Sequence, residues 1–183
     1  MHKKLFVISG CSGVGKGTVI NKFMKRNKDF ILSVSCTTRK PREGEIDGVH
    51  YFFMTHEKFE NNIKEDKFLE HAQFAGNYYG TKKKYIKEKM DEGYNVLLEI
   101  DTQGALQVKG KMPEAVLIFI APPSVEELEA RLRGRHTEDE ETIQKRLAQV
   151  KIELERSKKY DYIVINDNVN RAVGEIENIV KII

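Results

Sequence analysis

The sequence predicts an α/β protein of three layers, with a parallel core sheet between helices, an inserted mixed α/β lobe over residues 35–93 and a helical lid over residues 125–159. Three observations predict it. Short, unbroken apolar runs alternate with stretches of helical periodicity, the pattern of strands buried on both faces and joined by crossover helices. The first run leads directly into a glycine-rich turn, Gly10-Cys11-Ser12-Gly13-Val14-Gly15-Lys16-Gly17-Thr18, which opens a helix. The alternation stops after Thr37 and resumes at Tyr94, which marks the insertion. Residues 1–34, 94–124 and 160–183 are left for the core.

Each element follows from local sequence. Leu5-Phe6-Val7-Ile8 is a buried strand, and Val19, Ile20, Phe23 and Met24 place one apolar face on the helix that starts near Lys16. After a break at Asn27–Phe30, Ile31–Cys36 reads as a second strand. Thr37–Gly48, polar and basic with Pro41 and Gly44, reads as a loop. In the lobe, Tyr51–Met54 is a strand and Thr55 caps a helix to Lys64. Phe68–Phe74 and Asn77–Tyr79 meet at Gly76 as a hairpin of an antiparallel sheet, and Thr81 caps a lysine-rich helix to Met90. Strand Tyr94–Ile100, helix Asp101–Lys109 and strand Ala115–Ile120 return to the core pattern. Ser124 with Glu127, and Thr137 with Glu140, form capping boxes for the next two helices; the second carries Ile143, Leu147, Val150 and Leu154 on one face. Strand Tyr162–Ile165 and helix Val169–Ile183 complete the chain.

Composition excludes several classes. The chain has 183 residues, 40 % hydrophobic and 32 % charged, enough for one core and too apolar for intrinsic disorder. A net charge of +3 does not mark a nucleic-acid binder, so local arginine clusters matter more than the total. Cys11 and Cys36 are too few for a secreted disulfide framework and lack zinc-site spacing, and they fit a reducing cytoplasm. No apolar run approaches the roughly 18 residues of a membrane span. Ile8-Ser9-Gly10-Cys11 has the look of a lipoprotein cleavage site, but the apolar run before it is shorter than the roughly 7–15 residues a leader needs.

The glycine-rich turn carries the chemistry of a triphosphate site. Its glycines let the backbone curl so that successive N–H groups face phosphate oxygens, and the helix N-terminus adds partial positive charge. Gly10, Cys11, Ser12, Gly13, Val14, Gly15, Lys16, Gly17 and Thr18 form this nucleoside-triphosphate site, with the Lys16 charge directed to the β- and γ-phosphates. The usual pattern has a hydroxyl residue directly after the lysine to reach Mg²⁺. Here Gly17 holds that position and Thr18 brings the hydroxyl one residue later, so magnesium is expected to be held mainly by phosphates and water.

Ser35-Cys36-Thr37-Thr38-Arg39-Lys40-Pro41-Arg42-Glu43-Gly44-Glu45 packs two arginines and a lysine into one constrained loop, whose planar guanidinium forks suit phosphate oxygens; from the residues alone a solvated basic loop and a second anion site both fit. This segment is similar to the monophosphate site of guanylate kinases, S-x-T-T-R-x-P-R-x-G-E. Further matches follow in order: Gly48-Val49-His50-Tyr51-Phe52-Phe53, Phe68-Leu69-Glu70-His71-Ala72, Tyr78-Tyr79-Gly80-Thr81, Leu98-Glu99-Ile100-Asp101, Gln103-Gly104-Ala105, Arg131-Leu132-Arg133-Gly134-Arg135, Arg146-Leu147 and Asn166-Asp167. The resemblance covers nearly the whole chain. Cys11 stands where proline is frequent and Thr102 where valine is, and neither change removes a reactive group.

The resemblance implies a phosphate-loop nucleoside monophosphate kinase that uses ATP and Mg²⁺ to convert GMP to GDP. Arg39, Arg42, Tyr51 and Tyr79 would hold the GMP phosphate; Glu70 would accept from guanine N1–H and the exocyclic amine; Ser35 and Thr81 would complete the base pocket, with Thr81 donating to the guanine carbonyl, and Asp101 would help fix the base or order water around the metal. Arg131, Arg135 and Arg146 would reach the transferring phosphoryl group from a lid that closes over ATP. Arg135 would also stack on adenine, with Asn168 at the adenine edge. Thr18 and Glu99 would face magnesium through water, and Arg133 has no assigned role. GMP and its 2′-deoxy form, monomer and homo-oligomer, all fit this reading; nucleic acid and membrane do not enter it. Two competitors share the fold: a guanylate-kinase-like module that binds phosphorylated peptides, and a kinase of another nucleoside monophosphate. A regulatory GTPase would need a guanine-base motif for the triphosphate, which the sequence lacks.

Overall fold

The N-terminal apolar run forms strand β1 (Leu5–Gly10), buried except at Gly10, as expected of a strand covered on both faces. The computed structural model describes residues 3–134 and 139–183. After β1 come α1 (Lys16–Arg26), β2 (Phe30–Leu32), β3 (Cys36–Thr37), β4 (Phe52–Phe53), α2 (His56–Lys64), β5 (Phe68–Phe74), β6 (Asn77–Lys82), α3 (Lys83–Asp91), β7 (Asn95–Glu99), α4 (Thr102–Lys111), β8 (Val116–Ala121), α5 (Val125–Arg133), α6 (Glu140–Ser157), β9 (Tyr162–Ile165) and α7 (Val169–Ile182). One sheet has the strand order β2-β7-β1-β8-β9 and the other β4-β3-β6-β5. In the first, β2 pairs parallel with β7 and β8 parallel with β9, so the predicted parallel α/β core is present.

By contact density the chain divides into two units, and β1 enters both. The first comprises the residues through Val7 and Asp29–Ala115. It holds the second sheet, in which β5 and β6 form the expected hairpin while β3 pairs antiparallel with β6 and parallel with β4. That sheet is therefore mixed rather than antiparallel throughout. Its core centres on Cys36, Phe59 and Phe68, with Phe52, Met54, Ile63 and Tyr78 against it. The Phe59 ring stacks on Phe68 and Tyr78 at centroid distances of 4.3 and 5.2 Å, the offset geometry aromatic pairs favour. The second unit comprises Ile8–Lys28 and Val116–Ile183. There α1 buries Val19, Ile20 and Phe23, and α7 buries Ala172, Val173, Ile176 and Ile179.

Four local expectations change. Ile31–Cys36 is not one strand: β2 belongs to the parallel sheet and β3 to the mixed one, so the chain changes sheets at Ser33–Ser35. Thr81 does not cap α3. It lies inside β6, Lys82 takes the cap position without a side-chain bond, and the Thr81 hydroxyl is used elsewhere. Thr137 lies outside the described residues; α6 starts at Glu140 and its cap is Asp139, whose carboxylate accepts from the Thr142 N–H at 2.8 Å. The buried stripe of α6 runs through Ile143, Val150, Glu153 and Ser157, with Leu147 and Leu154 at its margin. Thr55 and Ser124 do cap α2 and α5 as expected.

The aromatic stack holds the first unit's small sheet to α2, so Phe59→Ala should lower stability by about 3–5 kcal/mol through lost transfer energy and a residual cavity. Urea denaturation followed by circular dichroism measures this; a loss below about 1 kcal/mol would show that the stack contributes little.

Candidate active site

The predicted triphosphate loop lies wholly in the second unit. Gly15 occupies the N-cap of α1 with φ 90°, a left-handed conformation open to glycine and strained for other residues. No side chain caps α1 and no acidic residue stands in its first turn, whereas α2 and α4–α7 are each capped by a side chain. The first N–H groups of α1 are thus left for an anion. A cavity of about 530 Å³ opens here, lined by Gly13, Val14, Gly15, Thr18, Arg131, Gly134, Asn166, Asp167 and Val169. That volume suits a nucleotide-sized ligand.

Other residues hold the loop in shape. Cys11 N–H donates to Ile120 O at 3.4 Å and Val14 N–H to Cys11 O at 3.1 Å. The buried Asn166 amide donates to Val14 O at 2.8 Å. Arg146 reaches Ser12 Oγ at 3.5 Å. Arg131 donates to Asn166 O at 3.3 Å and pairs with Glu127 at 2.5 Å. Arg135 lies outside the described residues. Arg133 pairs with Glu129 and Glu140 on the surface, in keeping with its having no assigned role. Asn168 Oδ1 caps α7 by accepting from Asn170 and Arg171 N–H at 2.9 and 3.2 Å, and the adjacent cavity wall is Asp167. Cys11 is not a reactive thiol: burial, then the Glu153 charge, push it up to about 12.

The predicted monophosphate residues lie wholly in the first unit. Arg39 pairs with Glu45 at 2.7 Å and sits 5.4 Å from the Tyr51 ring centre, and the Tyr51 and Tyr79 rings meet edge to face at 6.2 Å. Glu45 also accepts from Arg42 N–H at 2.7 Å, and the Arg39 hydrogen bond holds its carboxyl down at about 2. Glu45 is therefore the organiser of this loop. The glutamate ending the motif was visible in the sequence, but its role was not assigned. Arg42 is exposed and Ser35 half-buried.

Glu70 is only 4 % exposed, and the Thr81 hydroxyl donates to its Oε1 at 2.6 Å. That hydroxyl has one proton, so it is committed to Glu70 here rather than open for a guanine carbonyl. Burial pushes the Glu70 carboxyl up to about 7; the Thr81 bond opposes this and the Asp101 charge adds to it. Asp101 itself caps α4 by accepting from Gly104 N–H at 2.8 Å. A Cβ at Gly104 would stand 2.8 Å from Glu70 Oε2, so the helix start is cut to admit this carboxylate. Gln107, which sequence reasoning passed over, bonds to both N–H and C=O of His71 at 3.1 and 3.0 Å and steadies β5 beside Glu70. Glu99 is exposed at the end of β7.

Burial of Glu70 has a thermodynamic consequence. Its folded value of about 7 exceeds its ordinary 4.5, so the folded state holds this proton more tightly than the unfolded chain. Stability is then lost as pH rises from about 4.5 to 7, by up to about 3 kcal/mol. Glu70→Gln should raise the thermal midpoint at pH 8 and leave it nearly unchanged at pH 4. Equal shifts at both pH values would contradict a buried, reluctant carboxylate.

Comparison with known proteins bears on both halves of the chain. The guanylate kinase family model matches residues 2–182. The chain is 50 % identical over 179 residues to guanylate kinase of Prochlorococcus marinus, covering 98 % of this chain and 97 % of the relative. It is 52 % identical over 176 residues to guanylate kinase of Caldanaerobacter subterraneus, covering 96 % and 85 %. The crystal structure of guanylate kinase from Anaplasma phagocytophilum superposes with a TM-score of 0.74 at 34 % identity, covering 98 % of this chain and 85 % of that one. With the phosphate loop, the arginine–tyrosine cluster and the buried carboxylate in place, and with matches of this length, the chain belongs to the guanylate kinase family.

Proposed function

We propose that the protein transfers the γ-phosphoryl group of ATP to GMP, forming ADP and GDP. The single observation that carries the acceptor assignment is Glu70: a buried carboxylate, oriented by Thr81 and admitted by Gly104. Guanine offers N1–H and an exocyclic amine as adjacent donors, and adenine does not. A buried acceptor left unpaired penalises the wrong base strongly. The alternative of a phosphopeptide-binding module is disfavoured by the open N-terminus of α1 and the arginines beside it, which such a module does not need.

In this reading Lys16, Arg39, Arg131, Arg135 and Arg146 are the catalytic cations. The loop from Gly10 to Thr18 binds ATP, with Arg135 and Asn168 toward adenine. Ser35, Arg39, Arg42, Tyr51, Glu70, Tyr79, Thr81 and Asp101 bind GMP, with Thr81 acting by orienting Glu70. Arg39 exchanges Glu45 for the incoming phosphate dianion. The acceptor is already an anion, so transfer needs in-line placement and charge neutralisation rather than a general base. Among the described residues no cluster of three or more His, Cys, Asp or Glu side chains is placed to hold a metal ion. With Gly17 after Lys16, that donor set fits a Mg²⁺ that arrives on the phosphates and keeps its water. Thr18 and Glu99 would meet that water, and the ion supplies neutralisation of the phosphate charge. No helix among the described residues is long and apolar enough to cross a membrane. The site of action in this reading is the cytoplasm, whose reducing conditions suit the two free cysteines.

An acceptor panel tests the reading. GMP with ATP should release ADP, and AMP should react at least about 10³-fold less efficiently by kcat/KM. Glu70→Ala should remove most of that preference; a wild-type enzyme equally active on AMP would defeat the assignment. The ionised Glu70 is the form that accepts from guanine, so GMP affinity measured by calorimetry should weaken as pH falls through about 7 and level off above it. A pH-independent affinity between pH 5.5 and 8.5 would count against Glu70 as the reader of the base.

A further inference from the structure

Helix α6 presents two groups to the same residue of the phosphate loop. Glu153 Oε2 accepts from the Ser12 N–H at 3.2 Å. Two turns earlier on the same face, Arg146 donates to Ser12 Oγ at 3.5 Å. Val150, fully buried, lies between them, and Gln149 bonds to Glu153 Oε1 at 3.4 Å. Glu153 is itself only 8 % exposed, on a helix stripe otherwise made of apolar and small residues.

A buried carboxylate beside a loop built for polyphosphate is electrostatically unfavourable for the ligand. An apolar residue of similar length would pack the stripe and attract nucleotide better by charge alone. The carboxylate must therefore provide something that the apolar residue cannot. What it provides is a strong acceptor for the Ser12 N–H of the loop. The first turn of the loop, Cys11–Ser12, is thereby tied to α6, and Arg146 is kept in register with it.

We propose that Glu153 is a positioning residue of the donor site. It holds the outer turn of the phosphate loop against α6, so that the loop is already curled, and Arg146 already beside it, when ATP binds. This deepens the reading of the donor half given above and rests on it for the kinetic assay.

The test uses Glu153→Ala and Glu153→Gln. The alanine variant should raise KM for ATP about tenfold or more and lower kcat, with KM for GMP changed less than twofold, because every acceptor-side residue belongs to the other unit. The glutamine variant keeps an oxygen that can accept from Ser12 N–H and should recover most of the ATP affinity. Unchanged ATP kinetics in the alanine variant, or equal losses for ATP and GMP together with a lowered thermal midpoint, would overturn the proposal. If the wild-type protein does not phosphorylate GMP, calorimetric titration of both variants with ATP still decides the point, because nucleotide affinity is read without turnover.

Discussion

A loop that offers its backbone N–H groups to an anion cannot use those groups to hold its own shape. Everything around the phosphate loop answers this constraint. The Asn166 amide holds Val14 O, Ile120 O receives the Cys11 N–H, and Glu153 receives the Ser12 N–H. Each tie fastens the loop to a neighbouring element, so the curl is held by the protein's own groups. The absence of a side-chain cap on α1 belongs to the same arrangement, since a cap would occupy the donors that the ligand needs.

The acceptor side meets the opposite difficulty. The proposed reading of the base calls for a carboxylate in a place where carboxylates are costly. Glu70 is tolerated there because Thr81 donates to it and Gly104 makes room, and its raised proton affinity is the visible cost. Arg39 is handled similarly: Glu45 pairs with it, so its charge is not left uncompensated. In both units the charged groups of the proposed sites are held by neighbouring side chains.

The strands β1, β7, β8 and β9 and the helices α1, α2, α5 and α7 were legible because apolar runs and caps are local signals. The change of sheet between β2 and β3 was not, because the alternation Leu32-Ser33-Val34-Ser35-Cys36 is also what a single half-buried strand shows, and it carries no mark of which neighbour each residue will pair with. Thr81 read as a helix cap for a like reason: a hydroxyl before a lysine-rich helix fits that role, and only the proximity of Glu70, across the hairpin, redirects it. The apolar stripe expected on α6 held at Ile143 and Val150 but turned to take in Glu153, a residue whose charge argued for solvent.

The sequence by itself determined the α/β class, the triphosphate loop and the two arginine-bearing segments, because each is written in contiguous residue types whose chemistry does not depend on distant partners. Only the tertiary structure decided how those groups are restrained. Glu45 holds Arg39 within one loop and Thr81 serves Glu70 across one hairpin, while Asn166 and Glu153 reach the phosphate loop from far along the chain. A hydrogen bond depends on distance and direction in space, and neither is encoded in residue spacing once the chain has turned back on itself.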